Sequence, residues 1–252
     1  MARDGTGPGP RVEAEPSYVL HARSFRETSL LLEVLSHSHG RMGLLVRGAR
    51  SGKGGGRTAL LQPFTPLLLS WHGRGELPLL VEAEPAGSAP RLLGDALLAG
   101  FYANELLVQL LVRGEAHPAL FGRYALCLAQ LAEAVDLAGL AWPLRCFERD
   151  LLAAIGFELA LDVDVGGRPL QPQARYRWLG ESGAVACGVA DGDGAGVPGA
   201  ALIALRGDAP PPVELQVPLR RLLREELRRH LHGRSLRSWG LLAELERLRQ
   251  AL

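Results

Sequence analysis

The sequence predicts an α+β chain, with a small β-barrel at the N-terminal end and a mainly α-helical domain after it. Three observations carry this expectation. Five short runs of strand-like alternation fall between Ser17 and Glu84. A linker, Pro85 to Pro90, follows them. Beyond it the apolar residues switch to helical spacing, starting with a stretch from Arg91 to Leu111 that is apolar on nearly all sides.

Taken in order, residues 1–16 are rich in glycine, proline and charge and are read as a disordered leader. Residues 17–84 are read as the barrel. Tyr18 to Ala22 makes a short first strand, and Thr28 to Ser36 a second, with Leu30, Leu32 and Val34 on one face. His39-Gly40 turns the chain into a third strand, Arg41 to Gly48. There Met42, Leu44 and Val46 point one way, while Arg41, Leu45 and Arg47 point the other. A Gly/Ser/basic loop covers Ala49 to Arg57. Leu67 to Trp71 and Leu77 to Ala83 then form a hairpin around His72 to Gly75. Five strands in so short a span suit a closed barrel of the OB or SH3 type.

Residues 91–252 are read as the helical domain. Helices are expected at Arg91 to Leu111, His117 to Val135 and Ala141 to Phe157, with Pro118 and Pro143 near helix starts, where proline is tolerated. Residues 162–212 form an irregular Gly/Pro-rich insert, with a short strand pair at Tyr176 to Trp178 and Ala184 to Ala186. Leu215 to Leu231 is amphipathic: Leu219, Leu222, Leu223, Leu227 and Leu231 make a stripe, and Arg220, Arg221, Arg224 and Arg228 share an adjacent face. That arginine face reads first as a solvated one, and otherwise as an extension of a DNA surface or a grip on an acidic peptide. A last helix is expected from Ser235 to Leu252.

The formal charge of +1 conceals a strong division. Residues 17–75 carry eight basic side chains against Glu27 and Glu33, and residues 213–240 carry seven arginines against three glutamates. Between them, residues 91–165 carry five arginines against ten acids. Basic segments of this kind point to a polyanionic partner. Cys127, Cys146 and Cys187 are odd in number and far apart, as free thiols of a reducing cytosol are. No secretory signal is visible, and Ala96 to Val112 is too short and too interrupted by Glu105 for a membrane helix. The expected location is cytoplasmic.

No catalytic motif is present, and the chain is read as non-enzymatic. The loop Gly48 to Gly56 fails as a phosphate loop, because Lys53 is followed by Gly54 and Arg47 occupies the first glycine position. Asp191 to Gly196 fails as a calcium loop at Ala195 and Leu202. His37 and His39 lack a third ligand and read as surface histidines. The positive signal is the basic barrel. Arg41 and Arg47 share a strand face; Arg50, Lys53 and Arg57 follow on the loop, and Arg74 lies in the hairpin turn. Arg23 and Arg26 flank Phe25 between the first two strands. Arginines neutralise phosphates, and an exposed ring such as Phe25, with Trp71 behind it, can stack a base. These residues are the expected DNA contacts.

The same segments resemble the bacterial recombination mediator family RecO. The likeness rests on Val19-Leu20-His21-Ala22-Arg23 with Glu27-Thr28-Ser29-Leu30, and on Gly40-Arg41 leading to Arg47-Gly48-Ala49-Arg50. It continues through Leu61 to Leu69, Gly73-Arg74-Gly75-Glu76, Tyr102 to Leu107 and Leu144-Arg145-Cys146-Phe147-Glu148, covering roughly residues 17–160. The resemblance implies an N-terminal OB-fold ahead of a helical bundle, binding of single- and double-stranded DNA, and annealing of complementary strands. It further implies work with RecR and, in some species, RecF, to load RecA on DNA coated with single-stranded-DNA-binding protein (SSB). The acidic tail of SSB would dock on the helical domain, where Arg145 matches a tail-contacting position. Many relatives carry a four-cysteine zinc site at roughly 160–190; this chain has only Cys187 there, so no zinc or other cofactor is expected. The rival expectation is a protein-interaction adaptor whose helical domain docks acidic tails without direct DNA contact.

Overall fold

The computed structural model describes residues 10–49, 59–73, 75–188, 196–231, 233–238 and 240. Strands β1 (Arg11–Phe25), β2 (Ser29–Ser36), β3 (Gly40–Val46), β4 (Pro66–His72) and β5 (Leu79–Pro85) close into a barrel in the order β1-β2-β3-β5-β4. This is an OB-like barrel. All pairings are antiparallel except β3 with β5, where Leu45 faces Leu79 and its N–H donates to the Pro78 carbonyl at 2.9 Å. Closure leaves no sheet edge to be shielded.

The strand alternation sets the core. Leu32, Val34, Leu44, Val46, Leu67 and Leu69 are fully buried, with Trp71 beside them and Met42 packed against them. Trp71 is thus a core ring, and His39 meets it edge-on with centroids 5.2 Å apart.

The expected leader differs from what is found. Residues 1–9 lie outside the described residues, but Arg11 to Pro16 is the first third of β1 and pairs with β4, Val12 opposite Trp71 and Pro16 opposite Leu68. Register shifts between Val12 and Glu15, and again between Val19 and His21, let this long strand bend from β4 onto β2. Glu15 fastens it. Its carboxylate accepts from the Ser36 hydroxyl at 2.8 Å and the Ser38 N–H at 2.6 Å, clamping the β2–β3 turn.

The helices are α1 (Gly94–Leu110), α2 (Pro118–Glu133), α3 (Leu137–Ala154), α4 (Gly199–Ala204) and α5 (Val213–His230). Helix α3 starts four residues earlier than the pattern suggests, because Asp136 caps it by accepting from the Gly139 N–H at 2.8 Å; Pro143 therefore lies inside the helix. Residues 162–212 are not wholly irregular. They hold a sheet of β6 (Arg175–Trp178), β7 (Ala184–Ala186) and β8 (Val197–Pro198), order β7-β6-β8, with Tyr176 opposite Ala186. The expected final helix lies largely outside the described residues.

The chain divides into two compact units, Met1–Leu92 with Asn104–Gly122, and Leu93–Ala103 with Arg123–Leu252. The division differs from a simple cut after the barrel, since Asn104–Gly122 packs with the strands. Within that unit Asn104 donates to the Leu20 carbonyl at 2.9 Å, and Phe121 meets the Tyr18 ring with centroids 5.3 Å apart. The helical unit buries Tyr124, Leu128, Leu131, Phe147, Leu151, Leu219, Leu223 and Leu227. No helix among the described residues is long and apolar enough to cross a membrane.

Candidate nucleic-acid interface

The register of β1, β2 and β3 arranges the outer face of the barrel in rows. Tyr18, Leu35 and Arg41 form one, and His21, Glu33 and Gly43 the next. Arg23, Leu31 and Leu45 form the third. In the last, Phe25 pairs with Ser29, and Arg47 lies one residue beyond the Leu30–Val46 pair, level with Ser29. Arg23, Phe25 and Arg47 therefore share one face at one end of the barrel. Phe25 and Arg47 stand two strand spacings apart, roughly 10 Å. Arg23, Arg26 and Arg47 are exposed and Phe25 half-buried.

The other end of this face is covered. The Arg41 guanidinium is only 16% exposed; it lies 2.9 Å from Glu33 and donates to the Val108 carbonyl at 2.8 Å. Glu33 also accepts from Arg113, at 3.2 Å through Nε. The Arg41 carbonyl receives the Gly114 N–H at 2.9 Å. Arg41, expected as a phosphate contact, is placed as a strut beneath Asn104–Gly122, its guanidinium engaged by Glu33 and Val108. The parity that puts Arg41 and Arg47 on one face is right, but a segment distant in sequence folds over one half of it.

At the open end, Arg26 adopts φ of +54°, a left-handed conformation uncommon for a side-chain-bearing residue. Its guanidinium carbon sits 5.3 Å from the centroid of the Phe25 ring, a cation–π contact. A base stacking on this ring therefore meets a cation beside it. Arg50, Lys53, Arg57 and Arg74 lie outside the described residues.

Arg145 is buried within the helical unit. Its side chain is 8% exposed and donates to Glu148 Oε1 at 2.7 Å, an oxygen that also accepts from the Tyr102 hydroxyl at 2.7 Å. Glu148 is 1% exposed, and burial raises its carboxyl above the ordinary range against the opposing pull of Arg145 and Tyr102. Arg145 Nε and Glu148 Oε2 have no partner among the described residues. The signal for the pair was in the sequence: residues 145 and 148 are one helical turn apart.

Among the described residues no three His, Cys, Asp or Glu side chains cluster as metal ligands. Asp164, the buried acid of the 160–190 segment, accepts from the Gly166 and Arg168 N–H groups at 2.8 and 3.0 Å and pairs with the Arg168 guanidinium. These contacts hold its carboxyl below the usual range, the Arg168 N–H first among them. With the carboxylate occupied and Cys187 the one thiol, this donor set does not fit zinc. Cys127 and Cys146 are buried, which pushes the Cys127 thiol far up and that of Cys146 up to about 11.

Comparison with known proteins agrees with this architecture. Residues 13–89 match the family model for the N-terminal part of recombination protein O, and residues 92–240 match that for its C-terminal part. A protein named DNA repair protein RecO from Xanthomonas campestris pv. campestris (strain B100) is 46% identical over 239 residues, spanning 94% of this chain and 98% of its own length. Proteins of the same name from Xanthomonas oryzae pv. oryzae (strain PXO99A) and Stenotrophomonas maltophilia (strain K279a) are 45% and 44% identical. The first spans 94% of this chain and 99% of its own length, the second 93% and 98%. With both halves matched in order and nearly the whole length shared, the chain belongs to the recombination protein O (RecO) family of DNA repair proteins.

Proposed function

We propose that this chain is a non-catalytic recombination mediator that binds single- and double-stranded DNA and anneals complementary strands. The observation that carries this reading is the convergence of Arg23, Arg26 and Arg47 around Phe25 at the open end of the barrel. Annealing needs no reacting group. It needs phosphates neutralised enough for two like-charged strands to approach, with base edges left free to pair. Exposed arginines beside a stacking ring meet both demands, since they grip the backbone and one base face. The basic residues Arg50, Lys53 and Arg57 follow β3 directly in sequence. Family membership supports the rest of the reading: partnership with RecR and RecF, docking of the SSB tail, and assistance in loading RecA on SSB-coated DNA, in the cytoplasm at the nucleoid and without a resident metal or cofactor.

One observation favours the adaptor reading as a companion. A groove of about 530 Å³ in the helical unit is lined by Leu93, Val135 and Leu137, with Val135 96% exposed. Exposed apolar side chains of this kind mark docking sites. Asp95 and Asp136 at its rim disfavour an acidic tail there.

The test is annealing of complementary labelled oligonucleotides by the full chain, without nucleotide and with chelator. A rate enhancement that survives chelator and is lost on combining Phe25→Ala with Arg47→Gln supports the proposal. Absence of any enhancement or DNA binding refutes it and leaves the adaptor reading.

A further inference from the structure

Helix α2 ends at Glu133, and α3 begins at Leu137 after the turn Ala134-Val135-Asp136. This turn and the start of α1 wall the groove of the helical unit described above. The apolar part of that wall is not spent on the fold. Val135 is almost wholly exposed, Leu93 is 62% exposed and Leu137 61%, so each leaves most of its side chain in water. A turn between two helices needs no valine or leucine, since small polar residues serve it better. Apolar side chains gathered at one groove mark a surface that a partner covers.

The charge around the groove indicates what covers it. Asp95 and Asp136 line it, and among the described residues no basic side chain does. Asp136 accepts the Gly139 N–H through Oδ1, which caps α3 and leaves the carboxylate its full charge. Glu133, exposed at the end of α2, adds a third acid just ahead of the turn. The starts of α1 and α3 bring about half a positive charge each, and the end of α2 about half a negative one. The carboxylates therefore set the sign, and it is negative.

We propose that this groove docks a partner protein through a basic segment, one whose apolar side chains are flanked by lysine or arginine. The inference rests on the companion reading of the groove as a docking site and names the chemistry of its occupant. Leu93, Val135 and Leu137 take the apolar anchors, and Asp95 and Asp136 at the rim take the cations. Charge complementarity of this kind selects the partner and its orientation more than it adds affinity. An acidic tail would bring its charge up to like charges, and so would a nucleic-acid backbone. A second copy of this chain is the remaining competitor.

The test is fluorescence anisotropy of labelled peptides titrated with the full chain. The probes are a leucine-containing helical peptide with lysine and arginine between the leucines, the same peptide with glutamate for every basic residue, and the basic peptide with serine for leucine. Expected is saturable binding of the first, with the other two weaker by about tenfold or more. Val135→Ser with Leu137→Ser should weaken the basic peptide about tenfold while keeping the parental melt, because both side chains are exposed. Asp136→Asn keeps the helix cap but not the charge, and should weaken it about threefold with a flatter salt dependence. DNA annealing should be unchanged in both variants. Parental peptide affinity in both folded variants overturns the proposal. Tighter binding of the glutamate peptide, lost in the serine variant, overturns the basic partner and leaves the groove a docking site. Self-association of the parent that the serine variant loses, seen by sedimentation, overturns it in favour of a second copy. No binding of any probe overturns both the proposal and the companion reading, and leaves the DNA reading to its own annealing test.

Discussion

Arg41 and Glu33 face each other at 2.9 Å on adjacent strands of the barrel, and the same carboxylate holds Arg113 of the covering segment. One acid thereby spends two arginines on folding and separates the outer face into a covered end and an open one. Arg41→Ala leaves Glu33 largely desolvated and short of a donor, an expected loss of about 2 kcal/mol in unfolding free energy. Urea denaturation checks the loss. The folded variant should bind DNA with the salt slope of the parent, because Arg41 makes no phosphate contact.

Gly40 marks where the covering segment meets β3. Its φ is +66°, and a Cβ there would lie 1.8 Å from the Glu115 carbonyl oxygen, a backbone atom that cannot step aside. Gly40→Ala should destabilise the barrel unit by roughly 2–4 kcal/mol, the sum of left-handed strain and overpacking. A thermal melt reads this directly, and parental stability would show that Asn104–Gly122 does not sit against the turn.

Glu15 links stability to pH. Burial alone would raise its carboxyl, but the Ser38 N–H and the hydroxyls of Ser36 and Ser38 outweigh burial and hold it below the ordinary range. A depressed folded value means that the unfolded chain binds the proton first as pH falls. The stabilisation is therefore complete above about pH 5 and fades as pH drops through the folded value. Glu15→Gln should be clearly less stable than the parent near pH 6 and nearly equal to it near pH 3. A constant gap across that range would contradict the clamp.

The thiols give a chemical check on the helical core. Cys127 and Cys146 are buried with raised thiol values, whereas Cys187 is partly exposed. Since the thiolate is the reactive form, the native chain should react rapidly with a disulfide reagent at Cys187, and at all three positions only in denaturant. Rapid reaction of two or three thiols in the native chain would show a looser core.

Much of the barrel was legible because strand alternation is local. Leu30, Leu32 and Val34 against Met42, Leu44 and Val46 fix the register of β2 and β3 without reference to the rest of the chain. The same parity put Arg41 and Arg47 on one face, whereas Arg23 and Phe25, expected in the turn after the first strand, belong to the end of β1 itself. The fate of Arg41 was not legible, because its partners Val108 and Arg113 are more than sixty residues away and no periodicity connects them. Arg11 to Pro16 reads as leader for a related reason. It is charged and holds a register shift between Val12 and Glu15 with Ala14 at φ +49°, so its strand character exists only through pairing with β4. Arg145, singled out in the sequence, is buried and meets Glu148 on its own helix.

The measurement closest to the central claim is fluorescence anisotropy of a labelled single-stranded oligonucleotide titrated across a salt series. The parent is compared with a variant combining Arg23→Gln, Arg26→Gln and Arg47→Gln, and with Arg41→Gln. The expected result is tight, strongly salt-dependent binding by the parent and by Arg41→Gln, and a log–log slope shallower by about 2 in the triple variant, near 0.7 for each contact removed. Parental affinity and slope in the folded triple variant, or a loss confined to Arg41→Gln, would contradict the assignment of DNA to the open end of the barrel.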